Sequence, residues 1–267
     1  MRSVRQLIGL AGRKALVTGA AGHIGSAVSE TLVELGATVA VLDLDGDACE
    51  RRAVALRTQR RGSAIPLPCD LRDEARTRSA VDAAAKRMRG LDILVHCAGY
   101  VGSTGAPGWS APFDEQTVKA WDAAMRVNAT AAFVMAQQAR RSLARSGRGS
   151  VILFSSIYGV AAPDWRLYRG TGMANPLGYG ASKGALLQLT RYLATTLAPR
   201  VRVNAISPGG VSRKQPAVFR RRYAARTPLG RMATEADLMG AVAYLASDLS
   251  AYVTGHNLVV DGGWTIW

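Results

Sequence analysis

A glycine-rich turn near the N-terminus restricts the folds that this chain can adopt. Residues 14–18, KALVT, have the pattern of a short buried strand, and GAAGHIG at residues 19–25 leads into a helix from roughly Ile24 to Gly36. A second apolar run over residues 37–42 ends at Asp43. This order of strand, glycine turn, helix, strand and acid is typical of a βαβ unit that binds a dinucleotide, because glycines let backbone N–H groups approach a pyrophosphate.

Asp43 also bears on the choice of cofactor. It follows the turn at about the interval, roughly 20 positions, expected of the acid that binds the adenosine ribose. A carboxylate accepts hydrogen bonds from a free 2′-hydroxyl but repels a 2′-phosphate, and the following Leu44 and Asp45 add no positive charge. The sequence therefore favours NAD over NADP, with His23 and Arg51 as the basic residues that argue for NADP.

Strand-like and helix-like segments alternate along the rest of the chain, without an internal repeat or a linker. Further strands are predicted at residues 64–68, 91–96, 150–154, 202–206 and 257–260, and helices at residues 46–61, 73–89, 113–124, 127–146 and 235–246. Such alternation implies a doubly wound parallel sheet of about seven strands with helices on both faces. For a chain of 267 residues that is 48% hydrophobic, we expect a single α/β Rossmann domain over residues 1–267.

Charge and hydropathy argue against nucleic-acid and membrane proteins. The formal charge of +15 is spread over predicted helix faces and is not combined with aromatic residues into a binding motif, so specific nucleic-acid binding is not expected. No apolar run is long enough to cross a membrane, and the N-terminal MRSVRQLIGLAGRK has too short an apolar centre for a signal peptide. We therefore expect a soluble cytoplasmic protein.

The cysteines and histidines show no pattern of disulfides or metal ligands. Cys49, Cys69 and Cys97 lie in or beside apolar segments and form no C-x-x-C pair, which is typical of reduced thiols in a core. The three histidines are scattered along the chain without ligand spacing. Neither a structural disulfide nor a metal is expected.

Tyr179 and Lys183 form a candidate acid/base pair. They stand four positions apart in a predicted helix and therefore share one of its faces. A fixed ammonium stabilises a phenolate, so the spacing predicts a lowered pKa for the tyrosine and proton transfer near neutral pH. The same spacing also occurs by chance on many helices, and an exposed pair of no function is the alternative.

Several motifs together resemble the short-chain dehydrogenase/reductase family, in its compact form. In chain order they are TGAAGHIG at the glycine turn, Asp70–Leu71, HCAG at residues 96–99, RVNAT around Asn128, Ser155–Ser156, Tyr179 with Lys183, PGG at residues 208–210 and VVDGG near the end. The resemblance runs from about Lys14 to Trp264, which is nearly the whole chain. It implies an enzyme that transfers hydride between a nicotinamide cofactor and a substrate carbon.

The resemblance assigns catalytic roles residue by residue. Tyr179 would be the general acid/base, and Lys183 would lower its pKa and hold the nicotinamide ribose. Ser156, in preference to Ser155, would hydrogen-bond the reacting oxygen. Asn128 would fix a water of a proton relay behind Lys183.

Contacts with the cofactor are implied in the same way. They comprise the turn, the ribose-binding acid, the adenine site, the small residues near the second ribose, the catalytic pair and the start of the PGG motif: Gly19, Ile24, Gly25, Asp43, Asp70, Leu71, Ala98, Gly99, Tyr179, Lys183, Pro208 and Gly209.

The sequence departs from the family pattern in three places. His23 stands in the turn where compact members have glycine, a spacing that resembles longer sugar-nucleotide members. His96–Cys97 replaces an Asn–Asn pair. The interval between Ser156 and Tyr179 is longer than the family's, which implies an insertion over residues 160–178 near the mouth of the active site.

Loops over the sheet are the best guide to the substrate. The insertion and a predicted lid at residues 209–230 carry charged and aromatic residues, among them Asp164, Trp165, Arg166, Tyr168, Arg169 and Arg213. Arginine binds phosphate or carboxylate and aromatic faces suit sugar rings, so Arg166, Arg169 and Arg213 are candidate substrate contacts. The alternative is that these arginines face solvent or a neighbouring subunit.

The leading interpretation is an NAD-dependent oxidoreductase that interconverts a secondary alcohol and a ketone, acting on a sugar, sugar-phosphate or sugar-acid type of small molecule. An NADPH-dependent 3-oxoacyl-[acyl-carrier-protein] reductase and a catalytically idle NAD-binding regulator are the alternatives. The resemblance also implies a homotetramer, or a homodimer, packed through the helices around Asn128 and Tyr179. The apolar C-terminus, with Trp264, Ile266 and Trp267, is expected to pack on a neighbour or to cover the pocket.

Overall fold

The chain folds around one parallel β-sheet. A computed structural model describes residues 1–101 and 106–267. The strands are β1 (Lys14–Thr18), β2 (Thr38–Asp43), β3 (Ala64–Pro68), β4 (Ile93–His96), β5 (Gly149–Phe154), β6 (Val201–Pro208) and β7 (Asn257–Val260). Their order in the sheet is β3-β2-β1-β4-β5-β6-β7, and every neighbouring pair is parallel.

Helices cover both faces of this sheet. They are α1 (Val4–Ile8), α2 (His23–Glu34), α3 (Gly46–Gln59), α4 (Glu74–Arg87), α5 (Val118–Met125), α6 (Ala131–Arg145), α7 (Leu177–Leu197), α8 (Ala217–Arg226) and α9 (Ala236–Ala246). The doubly wound parallel sheet predicted from the sequence is therefore confirmed.

Two apolar cores lie on opposite faces of the sheet. Alternate residues of β5 show the division, because Val151 and Leu153 contact one core and Ile152 and Phe154 the other. Helices α4, α6 and α7 pack on the first face, and α2, α3 and α9 on the second. Since β5 is buried along its whole length, it is a rigid support for the loops that follow it.

The structure differs from the predicted elements in a few places. The helix predicted over residues 113–124 is a 3₁₀ turn followed by α5, because the side chain of Thr117 accepts a hydrogen bond from the N–H of Ala120 and starts a new helix. The helix predicted over residues 127–146 begins as a π-helical turn, Arg126–Thr130, before α6. Helices α1 and α8 were not predicted. The first is short, and the second carries Arg220–Arg222 where an apolar stripe is expected.

The described residues contain no helix that is both long and apolar enough to cross a membrane. Cys49 and Cys69 are buried and Cys97 is half-buried, and all three thiols are free. Over residues 1–101 and 106–267 there is also no group of three or more His, Cys, Asp or Glu side chains that could hold a metal ion.

A buried arginine ties the N-terminal segment to the turns that precede β5 and follow α9. The side chain of Arg13 is only 2% exposed, forms an ion pair with Asp248 and donates to the backbone oxygen of Arg148 at 3.3 Å. Asp248 also accepts a hydrogen bond from Arg2 at 2.7 Å. Burial opposes the charged form of Asp248, but the hydrogen bonds from Arg2 and Arg13 outweigh it and lower its pKa. The cluster therefore stabilises the fold at neutral pH, and this contribution is lost as the pH falls through the lowered pKa.

We expect Asp248→Asn to reduce the free energy of unfolding at pH 7 by about 3 kcal/mol, because Arg13 would keep a buried charge without a partner. Arg2→Ala is the matched control. Its side chain is largely exposed, and its loss should cost less than about 1 kcal/mol. Urea denaturation measures both values, and equal small losses would contradict a buried ion pair.

Candidate active site

A cleft of about 1460 Å³ lies at the carboxyl ends of the strands. Its lining includes all the residues that the family resemblance assigned to the cofactor: Gly19, Ile24, Gly25, Asp43, Asp70, Leu71, Ala98, Gly99, Tyr179, Lys183, Pro208 and Gly209. Ser156 and Arg213 line the same cleft. Residues that are far apart along the chain thus meet at one edge of the sheet, where ligands bind in folds of this class.

The glycine turn between β1 and α2 fits a pyrophosphate. Gly19 has a φ of 63°, and a Cβ atom there would lie 2.8 Å from the Cα atom of Ala98. A Cβ atom on Gly25 would collide with the backbone oxygen of Gly19. The turn can therefore be this tight only with glycines, and it holds the N-terminal N–H groups of α2 at the cleft, where they favour an anion.

Two acidic residues, Asp43 and Asp70, lie at the same end of the cleft as the glycine turn. The carboxylate of Asp43 accepts hydrogen bonds from the backbone N–H groups of Ala21, at 3.0 Å, and Leu44, at 2.8 Å. Asp70 is paired with Arg72, whose hydrogen bonds lower the pKa of this carboxyl. The positive charge of Arg72 is thus balanced by Asp70, while Asp43 contributes a negative charge beside the turn.

Helix α7 is fixed to the end of β5 by a reciprocal pair of hydrogen bonds. The Nζ atom of Lys183 donates to the backbone oxygen of Phe154 at 2.7 Å, and the hydroxyl of Ser155 donates to the backbone oxygen of Lys183 at 2.7 Å. A Cβ atom on Gly159 would lie 2.6 Å from the hydroxyl oxygen of Ser155, so a glycine is needed for this close approach. With Ser155 bound to α7, the hydroxyl of Ser156 is the one available at the cleft.

Tyr179 lies one helical turn before Lys183 and faces Ser156. Burial raises the pKa of Tyr179, and a hydrogen bond with Ser156 opposes this increase. The ammonium of Lys183 is 5.7 Å from the centroid of the tyrosine ring. Burial also lowers the pKa of Lys183, to about 8. The lowered pKa predicted for Tyr179 from the spacing is therefore wrong, because burial, which the spacing does not reveal, has the larger effect.

Asn128 is buried behind the cleft, in the π-helical turn before α6. Its side-chain oxygen accepts a hydrogen bond from the N–H of Tyr100 at 2.6 Å, and its side-chain nitrogen donates to the hydroxyl of Ser182 at 2.8 Å. Ser182 donates in turn to the backbone oxygen of Tyr179 at 2.8 Å. Asn128 thus orients the turn of α7 that carries the tyrosine, and the relay water assigned to it stays a prediction.

His96 connects three parts of the site from inside the protein. Its Nε2 atom lies 3.1 Å from the backbone oxygen of Asn128, and its Nδ1 atom lies 2.9 Å from the hydroxyl of Thr18. Burial, helped by the charge of Lys183, lowers the pKa of His96 to about 3, so the ring is neutral. A backbone oxygen only accepts, so Nε2 carries the proton and Thr18 donates to Nδ1. His96 therefore joins β1, β4 and the π-helical turn, a role that the sequence analysis did not assign.

The three arginines proposed as substrate contacts have different surroundings. Arg213 lines the cleft, where it forms an ion pair with Glu235 at 2.6 Å. Arg166 is bound to Asp164 at 2.8 Å beside a separate pocket, and Arg169 is exposed. Neither Arg166 nor Arg169 lines the cleft, because Asp164 holds Arg166 elsewhere and the side chain of Arg169 is exposed to solvent.

Aromatic residues from separate segments form a wall of the cleft instead. Tyr168 of the insertion packs on Phe219 of α8 at 5.3 Å between ring centroids, and Tyr223 stacks on Trp264 at 6.0 Å. Tyr158 contacts the edge of Trp264 at 6.2 Å. Trp264, expected to pack on a neighbour or to cover the pocket, is buried within its own chain. This aromatic wall was not recognised from the sequence, although Tyr168 was placed near the pocket.

Similarity to known proteins agrees with this geometry. A family model described as enoyl-(acyl carrier protein) reductase matches residues 19–265. A cis-4-hydroxycyclohexanecarboxylate dehydrogenase of Sinomonas cyclohexanicum is 35% identical, over 95% of this chain and 96% of that protein. The chain belongs to the short-chain dehydrogenase/reductase family. As a short-chain dehydrogenase/reductase, it is an oxidoreductase that acts on hydroxyl groups.

Solved structures of similar proteins include complexes with either nicotinamide cofactor. A short-chain dehydrogenase from Leptospira borgpetersenii with bound NAD+ matches with a TM-score of 0.83 and 31% identity, over 99% of this chain and 96% of that chain. A gluconate 5-dehydrogenase from Burkholderia cenocepacia in complex with NADP and tartrate matches with a TM-score of 0.86 and 29% identity, over 99% and 100%. The fold of this short-chain dehydrogenase/reductase is thus one that binds NAD or NADP.

The glycine turn gives a direct test of the cofactor site. We expect Gly25→Ala to weaken binding of NADH and NADPH at least about tenfold, since the added methyl group must displace the turn. Gly240→Ala, at a position in α9 with open space around it, is the matched control and should bind as the wild type does. Fluorescence titration measures both, with circular dichroism to verify folding. Unchanged affinity in Gly25→Ala would contradict the placement of the cofactor.

Proposed function

We propose that this protein is an NAD-dependent oxidoreductase that interconverts a secondary alcohol and a ketone on a compact polar ring of the sugar or sugar-acid type. The observation that carries the proposal is the meeting of Ser156, Tyr179 and Lys183 at the cleft, beside the glycine turn. When bound, the nicotinamide cofactor supplies the hydride acceptor or donor for the substrate carbon. A chain kept only as an NAD-binding scaffold would not need all three side chains.

The protein's own residues manage the proton and the orientation of the substrate. The hydroxyl of Ser156 accepts from the N–H of Tyr158 at 3.2 Å, so its own hydrogen can be donated to Tyr179 or to the reacting oxygen. Tyr179 gives its proton to that oxygen during reduction and takes one during oxidation. Lys183 stabilises the phenolate form of Tyr179 by its charge. Because burial raises the pKa of Tyr179, the reduction of a ketone is favoured at neutral pH and the oxidation of an alcohol at alkaline pH.

The charges at the adenosine end support NAD over NADP. Asp43 keeps its carboxylate beside the turn and would repel a 2′-phosphate. Arg72, a cation on the cleft, is held by both oxygens of Asp70. His23 is exposed, and its Nδ1 atom is 3.8 Å from the carboxylate of Glu235. None of these residues therefore carries an unbalanced positive charge that would favour the 2′-phosphate of NADP.

The substrate class follows from the wall of the cleft. Tyr158, Tyr168, Phe219 and Tyr223 present aromatic rings that suit the faces of a saturated ring. Arg213 is the one arginine of the three candidates that reaches this region in the described structure, and Glu235 balances its charge. These features support a neutral ring, or one with a single carboxylate, over a sugar phosphate. Residues 209–230, with α8, are proposed as the lid over this ring.

The surface of α5 and α7 supports a homotetramer or a homodimer. These two helices pack together and leave Val118, Trp121, Leu177 and Tyr192 exposed to an unusual degree for apolar side chains. A second copy of the chain is the proposed partner, and sedimentation of the purified protein measures the assembly. An active monomer at micromolar concentration would contradict it.

A panel of alcohols tests the proposed reaction. Gluconate, other sugar acids, neutral sugars and cis-4-hydroxycyclohexanecarboxylate are each offered with NAD+ and NADP+, and the reduced cofactor is followed by absorbance. We expect turnover of at least one ring alcohol with NAD+ preferred. In Tyr179→Phe, kcat should fall about 100-fold or more while the dissociation constant of NADH changes little, because only the proton donor is removed.

Two results would replace this proposal by one of the alternatives. Preference for NADPH with 3-oxoacyl thioesters would identify a carrier-protein reductase. Tight NADH binding without turnover of the panel or of the thioesters would indicate an idle NAD-binding regulator.

A further inference from the structure

The insertion at residues 160–178 forms part of the wall of the cleft. Tyr168 lies in its middle and is only 8% exposed, with its ring against Phe219 of α8 and Trp165 of the insertion. Its side chain also lines the cleft. A buried aromatic ring with these neighbours has a fixed position, so its hydroxyl can recognise a ligand group specifically.

The hydroxyl of Tyr168 belongs to a short chain of hydrogen bonds. It lies 2.6 Å from the hydroxyl of Tyr158, which also lines the cleft, and it accepts from the side-chain nitrogen of Asn175 at 3.2 Å. Each phenol has one hydrogen to donate, and a single hydrogen joins the two oxygens. Within residues 1–101 and 106–267 neither phenol has another hydrogen-bond partner. One phenolic hydrogen of the pair is therefore not used by the protein.

Packing alone does not account for this unused donor. Phenylalanine at position 158 or 168 would preserve the ring contacts with Trp264 and Phe219. A buried donor hydrogen without an acceptor is unfavourable by up to about 1–3 kcal/mol, so the spare hydrogen of the pair favours a ligand oxygen beside it. Met173 of the insertion adds further apolar surface beside the pair. The two phenols thus form a polar spot in an otherwise apolar part of the cleft.

The pair is also held in register with the catalytic serine. Tyr158 lies two residues after Ser156, and its backbone N–H donates to the serine hydroxyl at 3.2 Å. A substrate whose reacting oxygen lies at Ser156 therefore has another part of its ring near the phenols. The backbone of this single turn thus fixes the position of Tyr158 relative to Ser156.

We propose that Tyr158 and Tyr168 form a subsite that donates a hydrogen bond to a second oxygen of the substrate, a hydroxyl on a ring carbon other than the reacting one. The inference rests on the proposed function and deepens it, because it assigns a second hydroxyl of the proposed ring to named residues of the cleft. Asn175 orients the pair by donating to Tyr168.

Matched substrates and variants test this subsite. Initial rates with NAD+ are measured for cyclohexanol and for the isomers of cyclohexane-1,2-, 1,3- and 1,4-diol, using the wild type, Tyr158→Phe, Tyr168→Phe and Tyr252→Phe. Tyr252 is fully exposed and does not line the cleft, so its variant controls for the loss of any phenol. We expect the wild type to prefer at least one diol over cyclohexanol by about tenfold in kcat/KM.

The two subsite variants should lose most of this preference. In Tyr168→Phe, kcat/KM for the preferred diol should fall about tenfold, chiefly through KM, and this loss should exceed the loss on cyclohexanol at least about fivefold. Tyr252→Phe should behave as the wild type. Thermal melting shows whether Tyr168→Phe is folded, and Tyr158→Phe provides the same comparison if it is not.

The outcomes separate the inference from the proposed function. Equal losses on the diols and on cyclohexanol, or a wild type without preference for any diol, would overturn the subsite and leave the oxidoreductase in place. A wild type that oxidises none of these alcohols and no sugar would overturn both.

Discussion

The structure of the site depends on the contact between α7 and the end of β5. Lys183 donates to the backbone of β5, Ser155 donates back to the backbone of Lys183, and Gly159 leaves room for this approach. The strand is buried on both faces, so the contact has a rigid support. It sets Tyr179 opposite Ser156, and without it the proposed acid/base group and the residue proposed to hold the reacting oxygen would belong to independently moving segments.

A second set of buried polar contacts supports that arrangement from behind. Thr18, His96 and the backbone of Asn128 form a chain of hydrogen bonds, and the side chain of Asn128 continues it to Ser182 on α7. All the side chains in this chain are neutral, so their burial carries no cost of a desolvated charge. The neutral histidine fits beside the ammonium of Lys183, where a second cation would be repelled.

The sheet, and the meeting of the glycine turn and Asp43 at one cleft, can be predicted from the sequence because their signals are local. Apolar runs define the strands, and the glycine turn with Asp43 needs only one βαβ unit to be recognised. The family motifs also predict that Ser156, Tyr179 and Lys183 lie close together, since the segments that carry these motifs meet at the same edge of the sheet.

The substrate side is harder to predict because it depends on tertiary contacts. Arg166 has a partner two residues away in Asp164, and sequence does not show that this pairing takes it from the cleft. Burial raises the pKa of Tyr179, whereas the spacing in the sequence shows only that the ammonium of Lys183 can attract the phenolate. The aromatic wall draws on segments up to about a hundred residues apart, from Tyr158 to Trp264. Its one signal in the sequence is that aromatic residues, only 6% of the chain, recur in those segments.

The central claim is that Lys183 acts on the proton of Tyr179, and the pH dependence of alcohol oxidation tests it most directly. In the wild type, kcat/KM should rise with pH, because burial keeps the tyrosine protonated at neutral pH and oxidation needs the phenolate. Lys183→Met should lower kcat/KM by about 100-fold or more below pH 8, where the ammonium is charged and stabilises the phenolate, and by less at higher pH. A profile that is the same in both proteins, or that does not depend on pH in the wild type, would contradict the account.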